Sequence, residues 1–429
     1  MRASTLPAFT AARCRRDAVA YGLAALFAAV SIGLTSLPSH REWAALAVVP
    51  YLGGAVASLR LARRGSGSRA AVLAAVVAGV VVVPIAVLAV ARAGTPLAHA
   101  QEEVAVVEAA GRLLVATGSP YLGPEALGAS HLDYFPYLPG MAVFGLPSAL
   151  LGEVPLADAR VWFLLATVGL LWAAARVARL DRDRTVTGAQ VLLALPWAAL
   201  TLATGGDDLP VIAMCVLAVA LAGPYERPRG RNVRGGHAGR AGLVAGAAAA
   251  CKLFAWPLVL VLALVLLRRG GRESLTRFAA GAAGVVAAVA GPVLLLDAGA
   301  LVVNVLRFPF GLTPAHSPAG SPLPGWLLAT YLPHGRLVAL TLLGLAAVLI
   351  AGRVLLRPPA TPAGAAAVAG AGLAVAMLLA PATRYGYALY PIALLTTARL
   401  LGGPAVPELV ESGRGRAPAP VVADAGAAA

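Results

Sequence analysis

Carboxylate side chains are concentrated in one stretch of the sequence, between Arg92 and Arg160. The chain has 19 acids, and seven of them fall in this stretch: Glu102, Glu103, Glu108, Glu125, Asp133, Glu153 and Asp158. A carboxylate held next to a hydroxyl can act as its general base. Glu102 and Glu103 are the first candidates because they follow an apolar run closely. The simpler alternative is that they stabilise the start of a helix, where acids interact favourably with the helix dipole.

Asp133 is the third candidate base, in the segment HLDYFPYLPGM beside Tyr134 and Tyr137. This aspartate and the two tyrosines also suit the binding of sugar hydroxyls, although an ordinary loop aspartate explains the pattern equally well. Asp207 and Asp208 occur together in ATGGDDLPV, at a predicted turn between two apolar runs. Capping of the next helix accounts for one of them, and the other is free to bind substrate in a polar cavity.

Lys252 is the only lysine in the chain and lies in an apolar context, AAAACKLFAWP. A lysine there requires an anion or a water-filled cavity, and a lipid phosphate is a natural partner. The alternative is that its ammonium group reaches the membrane surface along an apolar stem. Arg384 in APATRYGYALYP is a second candidate for binding phosphate, with Tyr385 beside it. His316 is a candidate substrate-binding residue in another loop.

Metal and cofactor motifs give little signal. No pair of histidines has metal-ligand spacing, so a divalent metal is not indicated. The sequence also contains no Walker A sequence, no dinucleotide-binding glycine pattern after a strand, no HExxH and no GxSxG elbow. We therefore expect no cofactor, and a pump driven by ATP is disfavoured.

The amino-acid composition indicates that membrane-spanning helices position these residues. Hydrophobic residues make up 59% of the 429 residues and charged residues 12%, against roughly 25% charged in a soluble domain. The sequence therefore predicts an all-α polytopic membrane protein. The net charge of +15 is explained by arginines in cytoplasmic loops and does not indicate a nucleic-acid partner.

Twelve apolar runs meet or approach the roughly 17–25 residues that cross a bilayer. They cover residues 18–37, 43–59, 70–91, 160–177, 186–204, 209–222, 241–252, 256–267, 278–296, 335–352, 363–380 and 385–401. Most arginines fall on one side if the N- and C-termini are both cytoplasmic. Lys252 then lies at the outer tip of a hairpin formed by 241–252 and 256–267.

A single bundle is expected over residues 1–401, with two outer loops at 92–159 and 297–334 and a disordered cytoplasmic tail at 402–429. Within the first loop, residues 102–117 predict an interfacial amphipathic helix whose apolar face includes Val104, Val107 and Gly111. Glu103 and Glu108 are expected to lie away from that face. The segment 136–152 is rich in proline and glycine, so we interpret it as a re-entrant or surface-lying element.

Together these motifs resemble the GT-C superfamily of membrane glycosyltransferases, and most closely family 87, the polyprenyl-phosphate-mannose-dependent type found in actinobacteria. The resemblance covers most of the chain from about residue 70. Its motifs are acids and an amphipathic helix after a span, GSPYL, DYFPYLPGMAVFGLP, GGDD, AAAACKLFAWPLVLVLALVLLRR and APATRYGYALYP. The family usually places an aspartate where this sequence has Glu102 and Glu103.

The resemblance implies an inverting transfer of a sugar, mannose in this type, from a polyprenyl-phosphate donor to a glycan or glycolipid acceptor on the extracytoplasmic face. Glu103, Glu102 or Asp133 would then be the base, and Lys252 and Arg384 would bind the phosphate. Two alternatives are kept open: a transporter or lipid flippase, and a noncatalytic membrane protein. A transporter typically contains inverted repeats with broken helices, and the two halves of this sequence show no convincing repeat. The oligomeric state is left open.

Overall fold

The computed structural model describes residues 8–402 except 66, 94, 96 and 224–236. This part of the chain is all-helical. Its α-helices, numbered α1 to α16 in chain order, are Ala8–Leu34, Pro38–Arg64, Arg69–Val77, Val83–Arg92, Glu102–Thr117, Leu146–Leu151, Ala159–Val177, Arg182–Ala189, Pro196–Thr204, Asp208–Leu221, Ala238–Cys251, Trp256–Val302, Pro324–Tyr331, Gly335–Leu356, Pro362–Leu379 and Leu389–Leu401. The predicted tail at 402–429 lies outside the described residues apart from Gly402.

Each of the twelve predicted apolar runs lies largely in helix, but the expected count of twelve spans is not confirmed. Seven helical segments of the described chain are long and apolar enough to cross a membrane. They are Ala11–Leu34, Pro38–Arg64, Arg69–Arg92, Ala159–Val177, Leu253–Arg307, Gly335–Leu356 and Pro362–Leu379. The segments Arg182–Ala194 and Pro196–Thr204, bent by 51° at their junction, would together form an eighth. These helices make the protein a multi-pass membrane protein.

The helical structure is interrupted at Lys252, where the sequence predicts the tip of a hairpin. Helix α11 ends at Cys251, and Lys252 has an extended backbone with φ −146° and ψ 144°. Helix α12 is itself interrupted at Gly271, whose φ of 67° is left-handed. Gly242 and Gly246 of α11 lie against the backbone at Phe278 and Ala282, beyond that interruption. Residues 256–270 therefore return across the bundle before the chain turns again and runs parallel to α11.

Helix α5 crosses the proline- and glycine-rich element directly. That element forms a 3-10 helix at Pro139–Gly145 followed by α6. A Cβ atom on Gly145 would overlap the carbonyl oxygen of Val107, and one on Gly111 would overlap the Gly145 backbone. The predicted apolar face is confirmed at Val104, Val107 and Gly111, which are all buried. The two elements thus form one packed layer.

The expectation that Glu108 lies away from the packed face of α5 is wrong. Its side chain is buried, because Arg92 at the end of α4 forms two hydrogen bonds with its carboxylate. A buried charge is tolerated when it is paired in this way. The second loop, 297–334, is partly helical. It continues α12 and a π-helical turn to Arg307 and contains α13.

Candidate active site

Asp207, Asp208 and Lys252 form one buried ionic cluster. Gly206, with φ 89°, makes the turn before α10, and it brings both aspartates to the N-terminal end of that helix. The Lys252 ammonium lies 2.8 Å from Asp207 Oδ2 and 2.5 Å from Asp208 Oδ1. The lysine residue is only 5% exposed, so it does not reach the membrane surface. Lys252 has carboxylate partners from within the chain.

Aromatic residues surround this cluster. The ammonium group of Lys252 lies 4.4 Å from the centroid of the Tyr137 ring. The Tyr390 hydroxyl donates a hydrogen bond to Asp208 Oδ1 at 2.9 Å. Phe254 packs against Tyr387 and Tyr390 at ring-centroid distances of 5.1 and 5.2 Å. The cluster is therefore contacted from the segment that precedes the 3-10 helix Pro139–Gly145, from the N-terminal end of α10, from the α11–α12 break and from α16.

The prediction that one of these aspartates caps the next helix is not met at Asp207. Asp207 occupies the N-cap position of α10, but its side chain accepts no capping hydrogen bond. Both carboxylates are directed to Lys252, because two buried acids next to one ammonium gain more from ion pairing than from a backbone N–H. The cluster contains two carboxylates and one ammonium. With both acids ionised, these three side chains carry a net negative charge.

Glu103 and Arg384 form a second ion pair at the same end of the bundle. Glu103 lies in the first turn of α5, and Arg384 directly precedes the 3-10 turn Tyr385–Ala388 that leads into α16. Their side chains are 16% and 32% exposed, so solvent reaches the pair. Since Tyr390 follows Arg384 by six residues, one segment contributes to both ionic groups. The predicted base and a predicted phosphate-binding residue are thus in direct contact.

The other two candidate bases lie in more open surroundings. Glu102 is half exposed, and its Oε2 lies 2.7 Å from His131 Nε2. Asp133 accepts a hydrogen bond from the backbone N–H of Gly128 at 3.1 Å, which closes a loop. Gln101, and not an acid, is the N-cap residue of α5. Of the three carboxylates, Glu103 is the one that contacts a predicted phosphate-binding residue.

The remaining predicted substrate-binding residues do not converge on the buried cluster. Tyr134 is buried, with its ring stacked on Phe308 at a centroid distance of 4.5 Å. His316 is exposed. Tyr385 is also exposed, and its backbone N–H donates to Ser321 Oγ at 3.0 Å. Tyr134 therefore supports the fold, whereas His316 and Tyr385 are exposed on the surface.

A second buried ionic network was not anticipated from the sequence. Both terminal nitrogens of Arg92 lie 2.8 Å from the Glu108 carboxylate oxygens, and Nη1 also lies 3.1 Å from Asp158. Arg160 contacts the same aspartate through Nε at 2.9 Å and Nη2 at 2.8 Å. Burial by itself raises the pKa of Asp158, but the contacts with Arg160 and Arg92 outweigh burial and lower that pKa. The sequence contained a signal for this network. Most arginines are predicted to be cytoplasmic, but Arg92 and Arg160 border the loop predicted on the opposite side, so acidic partners could have been expected for them.

Arg160 also connects the two segments that carry the candidate residues. Its Nη1 donates to the carbonyl oxygen of His99 at 2.9 Å and to that of Ala203 at 3.1 Å. Nearby, the Gln101 N–H donates to the Thr204 carbonyl at 2.7 Å. These contacts fix the segment before Glu103 against the turn that bears Asp207. Arg160 thus joins the segment before Glu103 to the end of α9, next to the turn that bears Asp207.

The N-terminal end of α2 borders the same region. His40 contacts the Gln101 side chain, and Glu42 Oε1 lies 2.8 Å from His99 Nδ1. Neither residue was among the candidates, because a histidine and a glutamate near a helix start are unremarkable in sequence. Within the described residues, no group of three or more His, Cys, Asp or Glu side chains is arranged to hold a metal ion.

Comparison with known proteins gives one match. The model of glycosyltransferase family 87 matches residues 135–381, which is more than half of the chain. That range contains Asp207, Asp208 and Lys252, begins after Glu103 and ends shortly before Arg384. No curated protein and no solved structure matches the chain.

Proposed function

Because the chain belongs to glycosyltransferase family 87 and is a membrane glycosyltransferase, we propose that its donor is a polyprenyl-phosphate sugar, with mannose as the sugar. The proposed acceptor is a hydroxyl of a lipid-linked or cell-envelope glycan. The reaction takes place at the end of the bundle that carries Glu103 and Lys252, which we assign to the extracytoplasmic face of the cell membrane. This assignment includes a GT-C arrangement, twelve crossings and cytoplasmic termini.

The contact between Glu103 and Arg384 carries this proposal. A transfer from a lipid phosphate needs a base for the acceptor hydroxyl and a cation for the phosphate that leaves. The chain brings a carboxylate and a guanidinium together in a partly exposed position. Arginine suits this task because its planar fork matches phosphate oxygens. Membership of a transferase family favours this function over transport or a noncatalytic role.

The reaction follows from these roles. Glu103 takes the proton from the acceptor hydroxyl, whose oxygen forms a bond to the anomeric carbon of the sugar. The bond from that carbon to the phosphate oxygen breaks, and its electron pair stays on the phosphate beside Arg384. Attack opposite the leaving group inverts the anomeric configuration. In our proposal Arg384 supplies the positive charge, so transfer is expected to continue when divalent cations are chelated.

Lys252 has a different role in this proposal. Asp207 and Asp208 are both ion-paired with its ammonium group, so it offers less free charge to a phosphate than Arg384 does. Lys252 then orients the aspartates toward sugar hydroxyls and neutralises part of the negative charge that these two carboxylates would otherwise present to the phosphate. Tyr137 lies next to Lys252, and its aromatic ring is suited to stack against a sugar ring.

The test measures transfer of labelled mannose from polyprenyl-phosphate mannose by membranes that contain the full chain. We expect Glu103→Gln to lose transfer by at least about a hundredfold, the usual contribution of a positioned base. Glu125→Gln is the matched control, since it removes the same charge from an exposed position in the same loop. Full transfer by the Glu103 variant would exclude it as the base. No transfer by the wild-type chain with this donor would exclude the proposed donor.

A further inference from the structure

Glu103 and Arg384 contact each other, although the proposed reaction requires them on different groups. While the Glu103 carboxylate accepts from the Arg384 guanidinium, that oxygen is occupied and is not free to take the proton of an acceptor hydroxyl. The guanidinium, in turn, has part of its hydrogen-bonding fork occupied by the carboxylate. The arrangement in this structure is therefore an unreactive one with respect to the proposed chemistry.

We propose that the phosphate of the lipid donor displaces Glu103 from Arg384, so that donor binding itself releases the base. This inference rests on the proposed function. A phosphate presents more acceptor oxygens to the guanidinium fork than a carboxylate does, and arginine pairs with it in the same bidentate manner. Arg384 is thus an exchange residue, bound to Glu103 in the free protein and to the donor phosphate in the complex.

The packing indicates which partner moves. Glu103 lies on α5, whose position is fixed by the close crossing of Gly111 and Gly145. Arg384 lies on a short irregular segment and its side chain is the more exposed of the two. A change at the donor site is therefore accommodated by Arg384, and Glu103 keeps its position for the acceptor.

A second observation connects Arg384 to the second outer loop. The Thr383 N–H donates to the Ala319 carbonyl at 3.0 Å, and the Ser321 N–H donates to the Thr383 carbonyl at 2.9 Å. These bonds join residues 319–321 to the segment next to Arg384 in a short parallel pairing. A donor that touches this loop would move Arg384 with it. The loop and the exchange residue therefore act as one unit.

The order of events follows. The donor binds, its phosphate takes Arg384, and Glu103 becomes available to accept the proton of the acceptor hydroxyl. The oxygen then bonds to the anomeric carbon while the phosphate leaves with the electron pair of the broken bond. After the lipid phosphate dissociates, Glu103 gives up its proton to solvent and pairs with Arg384 again. Binding is thus ordered, with the donor before deprotonation of the acceptor.

The experiment measures binding of a short-chain polyprenyl phosphate without sugar to the full chain in detergent. If Glu103 competes with phosphate for Arg384, then Glu103→Gln binds this probe about fivefold more tightly, the effect of an ion pair near the protein surface. The same variant loses transfer. Arg384→Gln binds the probe more weakly, and adding Glu103→Gln to it gives no further gain.

Glu102→Gln is the matched control, because it removes one negative charge from the adjacent position, whose partner is His131. Its expected gain in affinity for the phosphate is less than about twofold, since removing this charge changes only the solvent-screened electrostatic potential at Arg384 and breaks no contact with it. Unchanged or weaker binding in Glu103→Gln, an equal gain in Glu102→Gln, or a gain that persists without Arg384 would each overturn the exchange. Failure of the wild-type chain and every variant to bind the probe would instead overturn the proposed donor, and the exchange with it.

Discussion

Arg92 and Glu108 form a bidentate ion pair in which each terminal nitrogen lies 2.8 Å from a carboxylate oxygen. The pair joins the end of α4 to the middle of α5, and both side chains are buried. Glu108 Oε1 additionally accepts the backbone N–H of Ala159 at 3.1 Å. One carboxylate thus connects α4, α5 and α7.

Glu108→Leu is therefore expected to destabilise the protein by about 3–5 kcal/mol, because it leaves a buried guanidinium without its main partner. The measurement is thermal unfolding in detergent. The double variant Arg92→Met with Glu108→Leu is expected to recover much of the loss, since both charges are removed together. Glu125→Gln serves as the control, and equal stabilities for it and Glu108→Leu would contradict this account.

Arg160 is expected to affect sugar transfer only by holding the segments that carry Glu103 and Asp207 in place. Arg160→Lys keeps the charge but removes the planar fork that reaches Asp158, His99 and Ala203 together. We expect kcat to fall between about tenfold and a hundredfold, since small misplacements of reacting groups have effects of this size. Arg112→Lys is the matched control, because Arg112 contacts Ser148 at the edge of the loop. An unchanged kcat in a folded Arg160→Lys protein would show that this connection is dispensable.

Lys252 should be indispensable for folding as well as for activity. Lys252→Met leaves Asp207 and Asp208 buried next to each other without a cation, at an expected loss of about 3–5 kcal/mol. The yield of monodisperse protein in gel filtration reports this loss. Adding Asp208→Asn removes one of the two charges and is expected to restore part of the yield. If Lys252→Met alone gives wild-type yield, the ion pairs contribute little to stability.

Gly145 tests the crossing of α5 with the 3-10 element. Gly145→Ala places a methyl group against the Val107 carbonyl and is expected to reduce stability by about 1–3 kcal/mol, as in other overpacked contacts. Thermal unfolding measures the change. At Gly123 an added Cβ meets no atom within 4 Å, so Gly123→Ala is the control. A small effect at Gly145 would mean that the two elements separate easily.

The sequence by itself indicated the positions of the helices and several chemical groups. Hydrophobic runs correspond to helices because the backbone in an apolar layer must satisfy its hydrogen bonds internally. The break at Lys252 followed from the apolar run 241–267, which is too long for one helix and has KLFAWP in its middle, and from the arginine-rich segments that flank the run. The apolar face of α5 followed from its period. These features depend on neighbours along the chain, which is why pattern alone predicts them.

Tertiary structure decided how the charged residues are paired. Lys252 was predicted to need an anion, but only the fold revealed Asp207 and Asp208 as its partners. Glu108 was expected outside the packed face of α5. Arg384 and Glu103 were treated as separate candidates, because 281 positions separate them in the sequence. Pairing energy depends on distance and burial in space, and neither quantity is encoded in local sequence. The sequence therefore determined which groups are available, and the packing of α5, α10, α11 and α16 determined which of them meet.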